Sequence, residues 1–190
     1  MKPIVPGLDS SLRWRTALPK DTPGLERLMK AAIAQLLPPF LKPREVEASS
    51  AVMGLDRQLV DDGTYFVVEH GDEIVGSGGW SARATLFGGD HSAGRSAALL
   101  DPATEPARVR AMYTHPAFTR RGIGRFILAL SEAHAAEKGF RRTTLAATMA
   151  GLPLYRACGY REGEHFREMT PSGVIVPLVR MEKMLPGFED

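Results

Sequence analysis

Glycines and arginines stand close together in residues 119–125, where they could hold a negatively charged ligand. The stretch consists of Thr119, Arg120, Arg121, Gly122, Ile123, Gly124 and Arg125. Because glycine has no Cβ, this backbone can approach a ligand closely. A helical pattern follows from Phe126, and the first N–H groups of a helix lack intrahelical acceptors. Together with the positive end of the helix dipole and the arginines, these groups predict a site for a phosphate or pyrophosphate.

Two common nucleotide-binding motifs contain similar glycines, and neither fits this loop. A Rossmann fingerprint has a third glycine or alanine where this chain has Ile127. A Walker A loop has a lysine and then serine or threonine after its last glycine, whereas Arg125 and Phe126 follow Gly124. Taken alone, the glycine pair is also compatible with a helix start that has only a structural use.

Hydrophobic spacing and helix breakers predict the elements that position the loop. A strand at 108–114 precedes it, and a helix at 126–138 follows it and ends at Lys138 and Gly139. A strand at 142–148 and a short helix at 152–157 come next. The other predicted elements are a strand at 12–16, a helix from an N-cap at Thr22 to the prolines 38 and 39, a weaker helix at about 44–60, a hairpin at 65–77, a long loop at 82–106, and two strands at 162–169 and 174–184.

This order of elements predicts a single α/β domain (α+β mixed) over residues 1–190. Because only part of the order alternates strand and helix, we expect a central mixed, mostly antiparallel sheet with helices on both faces. The loop at 82–106 is poor in apolar residues, and it is either a lid on the substrate side or plain disorder.

Composition excludes several classes of protein. A net charge of +2 gives no general reason to expect nucleic acid as a partner. The single cysteine, Cys158, rules out an intrachain disulfide and argues against a cysteine-based metal site. No apolar stretch approaches the roughly 20 residues of a membrane span, and the first residues lack the apolar core of a signal peptide. A cytoplasmic protein without membrane contact is therefore expected.

Two further segments give the glycine loop a context. The segment from Val109 to Pro116 precedes the loop, and the segment from Leu154 to Tyr160 follows it about 30 residues later. Together with the loop they resemble the acetyl-CoA-binding core of GNAT-type N-acetyltransferases, over residues 108–160. The resemblance implies a single GNAT-like domain, acetyl-CoA as co-substrate, no metal, and a V-shaped splay between strands 108–114 and 143–148 that admits the pantetheine arm of CoA.

The resemblance also assigns residues that contact the cofactor. Main-chain N–H groups from Arg120 to Arg125 would hold the pyrophosphate, while Thr119 stands where the family usually has glutamine or arginine. The backbone at Met112, Tyr113 and Thr114 would pair with the pantetheine, and an N–H near Met112 would stabilise the oxyanion. The arginines of the loop either bind phosphate or form a solvated basic face. Thr148, where relatives often have asparagine, either bonds the cofactor or caps the short helix.

The same resemblance points to Tyr155 as the catalytic residue. The matching tyrosine of the family donates a proton to the departing CoA thiolate, although a helical tyrosine can also simply pack on the sheet. Some family members carry a glutamate on the strand before the loop, but this strand has no acid. The general base is therefore open, and water could relay the proton instead. The candidates are Glu69, His70, His91 and His115.

Two functions remain open from the sequence. The first is transfer of an acetyl group from acetyl-CoA to a primary amine, on a small molecule or a protein, by direct attack in a ternary complex. The alternative is a non-catalytic acyl-CoA-binding sensor or regulatory module, which the missing acid favours. Residues that select the acceptor are expected in the helices at 22–60, the loop at 82–106 and the last hairpin. The apolar stretch 174–179 allows a homodimer, and Pro177 within it suits an edge strand.

Overall fold

A single seven-stranded sheet organises the structure, a computed structural model that describes residues 6–92 and 94–187. The strand order is β1-β2-β3-β4-β5-β7-β6. Among the described strands, β4 and β5 are the one parallel pair, and the other neighbouring pairs are antiparallel. The strands are β1 (Arg13–Thr16), β2 (Tyr65–His70), β3 (Glu73–Ser81), β4 (Ala107–Thr114), β5 (Arg142–Thr148), β6 (Arg161–Met169) and β7 (Ile175–Met184).

Helices cover both faces of this sheet, and β2 shows how the sequence brings this about. Phe66 and Val68 pack into one core with the long helix that follows the glycine loop. Tyr65 and Val67 pack into a second core with the first helix, on the opposite face. Side chains alternate faces along a strand, so a strand buried on both sides reads as a continuous apolar run. The helices are α1 (Thr22–Leu36), α2 (Pro43–Ala48), α3 (Arg57–Asp61), α4 (Ile123–Glu137) and α5 (Leu152–Ala157).

Two predicted helix starts were wrong. Thr22 is the first residue of α1 rather than its N-cap, which is Asp21, and the Thr22 hydroxyl donates to the Pro19 carbonyl. The glycine loop runs directly into α4, which begins at Ile123 instead of Phe126. A helix can start there because Gly122, at φ +80°, takes the left-handed conformation at the N-cap that glycine tolerates best.

The single helix predicted at about 44–60 is instead broken into α2, a 3-10 turn at Ser49–Ala51 and α3. The break lies at residues whose hydrogen-bonding groups have better partners elsewhere. The Gly54 N–H donates to the Tyr113 hydroxyl oxygen at 3.0 Å, and the Asp56 carboxylate accepts the Gln58 N–H at 3.1 Å as the N-cap of α3. Tertiary contacts thus override a weak helical spacing.

Pro177 does not lie on an edge strand, contrary to what its sequence context predicted. Strand β7, which contains Pro177, lies between β5 and β6, and β6 is the edge. The β5–β7 ladder ends at the pair Thr148–Leu178, so Pro177 pairs with Arg167 of β6 alone. Proline is tolerated in this interior strand because the β5 ladder stops one residue before it.

The segment 82–106 lies between β3 and β4 and contains neither a helix nor a named strand among its described residues. Hydrogen bonds nevertheless hold it to itself and to the body of the protein. Arg83 and Leu99 form an isolated bridge, and Arg83 forms an ion pair with Asp62 at 2.7 Å. Among the described helices none is long and apolar enough to cross a membrane.

Candidate active site

A cleft opens where β4 and β5 separate. The two strands pair only at Ala107–Thr143 and Arg108–Thr144, although both continue for several more residues. Beyond that point no described strand pairs with this edge of β4. The cleft is lined by β4 from Val109 to Tyr113, by residues of β5, and by Tyr155 of α5. This is the splay that the sequence resemblance implies.

A bulge in β4 lies beside this cleft. The β3–β4 register shifts between the pairs Ser77–Tyr113 and Gly79–Arg110, so β4 carries one extra residue there. Ala111 takes the left-handed conformation with φ +53°, which is rare for alanine. The buried Tyr65 hydroxyl holds the bulge because it donates to the Ala111 carbonyl at 3.0 Å. Met112, the next residue, lines the cleft.

The backbone of the glycine loop has positive φ angles at two positions. Arg120 (φ +65°) and Gly122 (φ +80°) both take left-handed conformations. Because α4 starts at Ile123, its first N–H groups have no acceptor within the helix. Gly122 and Gly124 have different structural roles. A Cβ at Gly122 would point into open space, whereas a Cβ at Gly124 would lie 2.9 Å from Cδ2 of Leu154. Gly124 therefore allows α4 and α5 to approach closely.

The polar side chains of the loop are mostly exposed. The Arg121 guanidinium lies over the ring of Phe118, 4.8 Å from its centre. The Thr119 hydroxyl donates to the Pro116 carbonyl at 3.2 Å, so the residue that departs from the family pattern is used inside the preceding turn. Arg120 and Arg125 are exposed as well. The loop can thus present backbone N–H groups and guanidinium groups to an anion.

Tyr155 and Thr148 reach the cleft from the other side. Tyr155 is 8% exposed, and burial raises the pKa of its hydroxyl, which therefore stays protonated at neutral pH. Its ring packs edge-on against Tyr160. The N-cap of α5 is Gly151 rather than Thr148, whose carbonyl accepts the Gly151 N–H at 2.9 Å. The Thr148 side chain does not cap the helix, which leaves it available to a ligand in the cleft.

The chain resembles known proteins in both sequence and fold. The sequence profile of the Acetyltransferase (GNAT) family matches residues 27–160, which include β2 to β5, α4 and α5. The chain belongs to the GNAT acetyltransferase family. This confirms the family and the enzyme class that the loop and its neighbouring segments predicted, and the mixed sheet confirms the predicted fold class. No curated protein is significantly similar to the chain.

Solved structures of GNAT proteins share the fold over nearly the whole chain. The GCN5-related N-acetyltransferase (aminotransferase, class-II) of Rhodopseudomonas palustris is 19% identical, with a TM-score of 0.68 over 93% of this chain and 97% of that one. The putative acetyltransferase YncA of Salmonella typhimurium, solved with its cofactor acetyl-CoA, is 16% identical, with a TM-score of 0.60 over 94% and 96%. PaiA N-acetyltransferase of Thermoplasma acidophilum, solved with coenzyme A, is 13% identical, with a TM-score of 0.60 over 91% and 98%.

The residues predicted for this GNAT site fall into two groups, those that line the cleft and those of the glycine loop, which are not among the lining residues. Met112, Tyr113, Thr148 and Tyr155 all line the cleft, and the loop at 119–125 leads into the helix that packs on β3 and β4. Thr114 is the exception among the residues of β4, because it pairs with Gly76 and is not part of the cleft lining. Segments expected to select the acceptor also meet at the cleft, through Met53, Phe87 and Leu178.

The four candidates for a general base do not line this cleft. Glu69 forms an ion pair with Arg15 at 2.6 Å. His70 and His115 both pack against the ring of Phe118, in the turn before the loop. His91 lies in a neighbouring pocket, where its Nε2 is 2.8 Å from the Ser50 carbonyl. Among the described residues that line the cleft there is no carboxylate and no imidazole.

Sequence reasoning missed a buried charge cluster beside the cleft. Arg110 of β4 forms an ion pair with Asp56, which is fully buried, and donates to the Gly88 carbonyl at 2.6 Å. Arg95 reaches the same carboxylate at 2.8 Å. The cluster joins the start of α3 and the 82–106 segment to β4. The one available signal was an arginine within an otherwise apolar strand pattern.

Cys158 lies outside the cleft, as expected for a packing residue. It lines a separate pocket between α4 and α5, together with Arg125 and Lys183. Burial raises the pKa of its thiol, which disfavours the reactive thiolate. The structure therefore gives no support to a covalent mechanism through this residue.

Gly122→Ala is expected to weaken acetyl-CoA binding about tenfold, because an alanine in the left-handed conformation costs about 1–2 kcal/mol and the loop would relax away from the phosphates. Isothermal titration calorimetry measures the change. Gly173→Ala is a matched control, since Gly173 has φ +77° and open space around it but lies in the last hairpin. A similar loss of affinity in both variants would contradict the role of the loop.

Proposed function

We propose that this protein transfers an acetyl group from acetyl-CoA to a primary amine by direct attack in a ternary complex. The observation that carries the proposal is the cleft between β4 and β5, which has the glycine loop at the start of α4 and Tyr155 of α5 beside it. Family membership and the two neighbours solved with acetyl-CoA or coenzyme A support the same donor.

The cofactor would bind through backbone groups at both of its polar regions. The pyrophosphate would accept N–H groups of the loop and of the first turn of α4, with Arg120, Arg121 and Arg125 adding charge-assisted bonds. The pantetheine would run along the β4 edge that has no strand partner beyond Arg108, as a peptide adds to the edge of a sheet. Because this mode of binding uses mainly backbone groups, threonine at position 119 would be compatible with it.

The chemistry would take place at the inner end of the cleft. The amine nitrogen attacks the thioester carbon, the carbon–sulfur bond breaks, and the thiolate of CoA leaves. An N–H at the β4 bulge near Met112 would stabilise the oxyanion. Tyr155 would give its proton to the thiolate, and the raised pKa of its hydroxyl keeps that proton in place until the sulfur leaves. The same shift makes Tyr155 a weaker acid, so its contribution should be moderate.

The proton of the amine has no side-chain acceptor within the cleft, where no described carboxylate or imidazole is present. The acceptor should therefore react as the neutral amine or pass its proton to water. We expect kcat/KM to rise about tenfold per pH unit below the pKa of the amine and then to level off. Repeating the profile with amines of different pKa is the measurement. A break that stays at one pH for all amines would show that a protein base is used.

Two assays test the proposed function together. Calorimetry with acetyl-CoA measures binding of the donor, and release of free CoA thiol with a panel of amines measures transfer. Binding followed by amine-dependent thiol release is the expected result. No binding of acetyl-CoA would contradict the proposal at its first step.

The second candidate is a protein that holds acyl-CoA as a sensor without turnover. The observation that favours it is that the described residues lining the cleft include no acid and no histidine. Arg110 instead occupies a buried position on the strand where some relatives have glutamate. Tight acetyl-CoA binding without thiol release for any amine in the panel would support the sensor over the enzyme.

A further inference from the structure

A second pocket lies directly beside the cleft between β4 and β5. It is lined by α1, by α2, and by the segments 53–57 and 90–91, it is open to solvent, and its volume is about 780 Å³. This size is within the range of small-molecule sites. Its apolar lining comes from Met29, Ile33, Ala34, Val46, Met53 and Leu55. The pocket can therefore bury an apolar body of several carbon atoms, with two methionines that adapt to its shape.

The wall between this pocket and the cleft is thin. Met53 and Gly54 line both spaces. Gly54 is fixed by its N–H, which donates to the Tyr113 hydroxyl oxygen, and a Cβ on it would come within 2.6 Å of the His91 ring. Because the wall is made of backbone and one flexible side chain, a molecule in the pocket needs to extend past only these two residues to reach the cleft.

Some charged side chains around the pocket form ion pairs, and others do not. Asp90 and Arg57 pair with each other at 3.6 Å. Within the described part of the chain, the side chains of Glu26 and Glu47 form no ion pair or hydrogen bond, and Lys30 is the one lining cation in the same condition. Two unpaired carboxylates on opposite helices, beside an apolar lining, complement a molecule that has a cationic group on an apolar body.

We infer that this pocket binds the acetyl acceptor, and that the acceptor is a small primary amine with an apolar body, such as an alkylamine or arylalkylamine. The inference rests on the proposed function, which requires an amine but does not specify it. The carboxylates of Glu26 and Glu47 attract the ammonium form at the entrance. The apolar wall then holds the hydrocarbon part while the amino group passes Met53 and Gly54 into the cleft.

The first experiment compares primary amines of increasing chain length in the thiol-release assay. Hexylamine should exceed ethylamine in kcat/KM by about 100-fold, because four more methylene groups leave water. Spermidine, which has no comparable apolar end, should react poorly. A peptide with a free N-terminus is included as the protein-like alternative. Rates for ethylamine and hexylamine that agree within a factor of three would overturn the inference, and so would a clear preference for spermidine or the peptide.

Matched variants locate the binding site of the amine. Ala34→Trp fills the pocket from an exposed position of α1, whereas Gln35→Trp places the same side chain on the same helix outside the lining. We expect Ala34→Trp to lower kcat/KM for hexylamine at least tenfold, with acetyl-CoA affinity unchanged in both variants. Equal activity of the two variants would overturn the assignment of the pocket.

Charge variants test the entrance. The double change Glu26→Gln and Glu47→Gln should lower kcat/KM for hexylamine about tenfold at low salt, with a smaller effect at high salt. Glu164→Gln, an exposed acid outside the pocket, should have no effect. Transfer to peptides with none to hexylamine would overturn this inference and leave acetyl transfer standing. Acetyl-CoA binding without transfer to any amine would overturn both.

Discussion

Tyr155→Phe is expected to lower kcat about 100-fold and to change the Kd for acetyl-CoA less than threefold. The general-acid step loses its proton donor, and proton donation of this kind typically contributes ~10²–10⁴-fold. The lower end applies because burial raises the pKa of this hydroxyl, so the proton is transferred to the thiolate with little driving force. Steady-state kinetics with a good acceptor and calorimetry with acetyl-CoA give the two quantities.

Tyr160→Phe provides the control for this experiment. Tyr160 packs against Tyr155, and its hydroxyl is within 2.8 Å of the Thr143 hydroxyl, so it has a buried structural role in the same cluster. The variant should lose about 1 kcal/mol of stability and retain most of kcat. If Tyr155→Phe reduced kcat and acetyl-CoA affinity equally, the residue would be a part of the binding wall rather than the acid.

Local patterns predicted those parts of the fold that local physics decides. The spacing of Leu25, Leu28, Met29 and Ala32 predicted α1, and these residues are all buried in the structure. The hairpin at 65–77 and the strand before the glycine loop were found from apolar runs and turn residues. In each case the determining residues lie within one element, so their spacing is visible in the sequence.

The features of the fold that the sequence did not predict depend on contacts between residues distant in the chain. The split of the helix at 44–60 depends on Gly54 and Asp56, whose partners Tyr113 and Arg110 are more than 50 residues away. The bulge at Ala111 has no local signal either, because alanine rarely takes a positive φ and the conformation is held by the Tyr65 hydroxyl. Gly124 suggested close approach to a ligand, whereas the structure shows close approach to Leu154.

The site residues remain predictions of the same local kind. The loop at 119–125 and Tyr155 were proposed because their motifs are short and continuous, and the structure places Tyr155 in the cleft lining and the loop at the start of α4. The second pocket was not predicted, since its walls come from α1, from α2, and from the segments 53–57 and 90–91, which only the fold brings together. Motifs that bind a common donor are local, whereas a surface that selects an acceptor is assembled by the fold.

Arg110→Met is expected to have the largest effect on stability, a loss of about 3–5 kcal/mol. Arg110 is 5% exposed and Asp56 is fully buried, so removing the guanidinium leaves a buried carboxylate with Arg95 as its remaining cationic partner. The bond to the Gly88 carbonyl is lost as well, which should loosen the 82–106 segment beside the cleft. Urea denaturation monitored by circular dichroism measures the change in unfolding free energy.

Two further variants separate the buried pair from a general effect of lost charge. Arg57→Met removes an arginine that is 65% exposed and pairs with Asp90 at the surface, and it should cost less than about 1 kcal/mol. Arg110→Met combined with Asp56→Asn should be less destabilising than the sum of the two single changes, because the double variant no longer buries an unpaired charge. Strict additivity would mean that Arg110 acts through packing alone. A rise in KM for the amine, without a change in acetyl-CoA affinity, would show that the cluster also positions the acceptor side of the cleft.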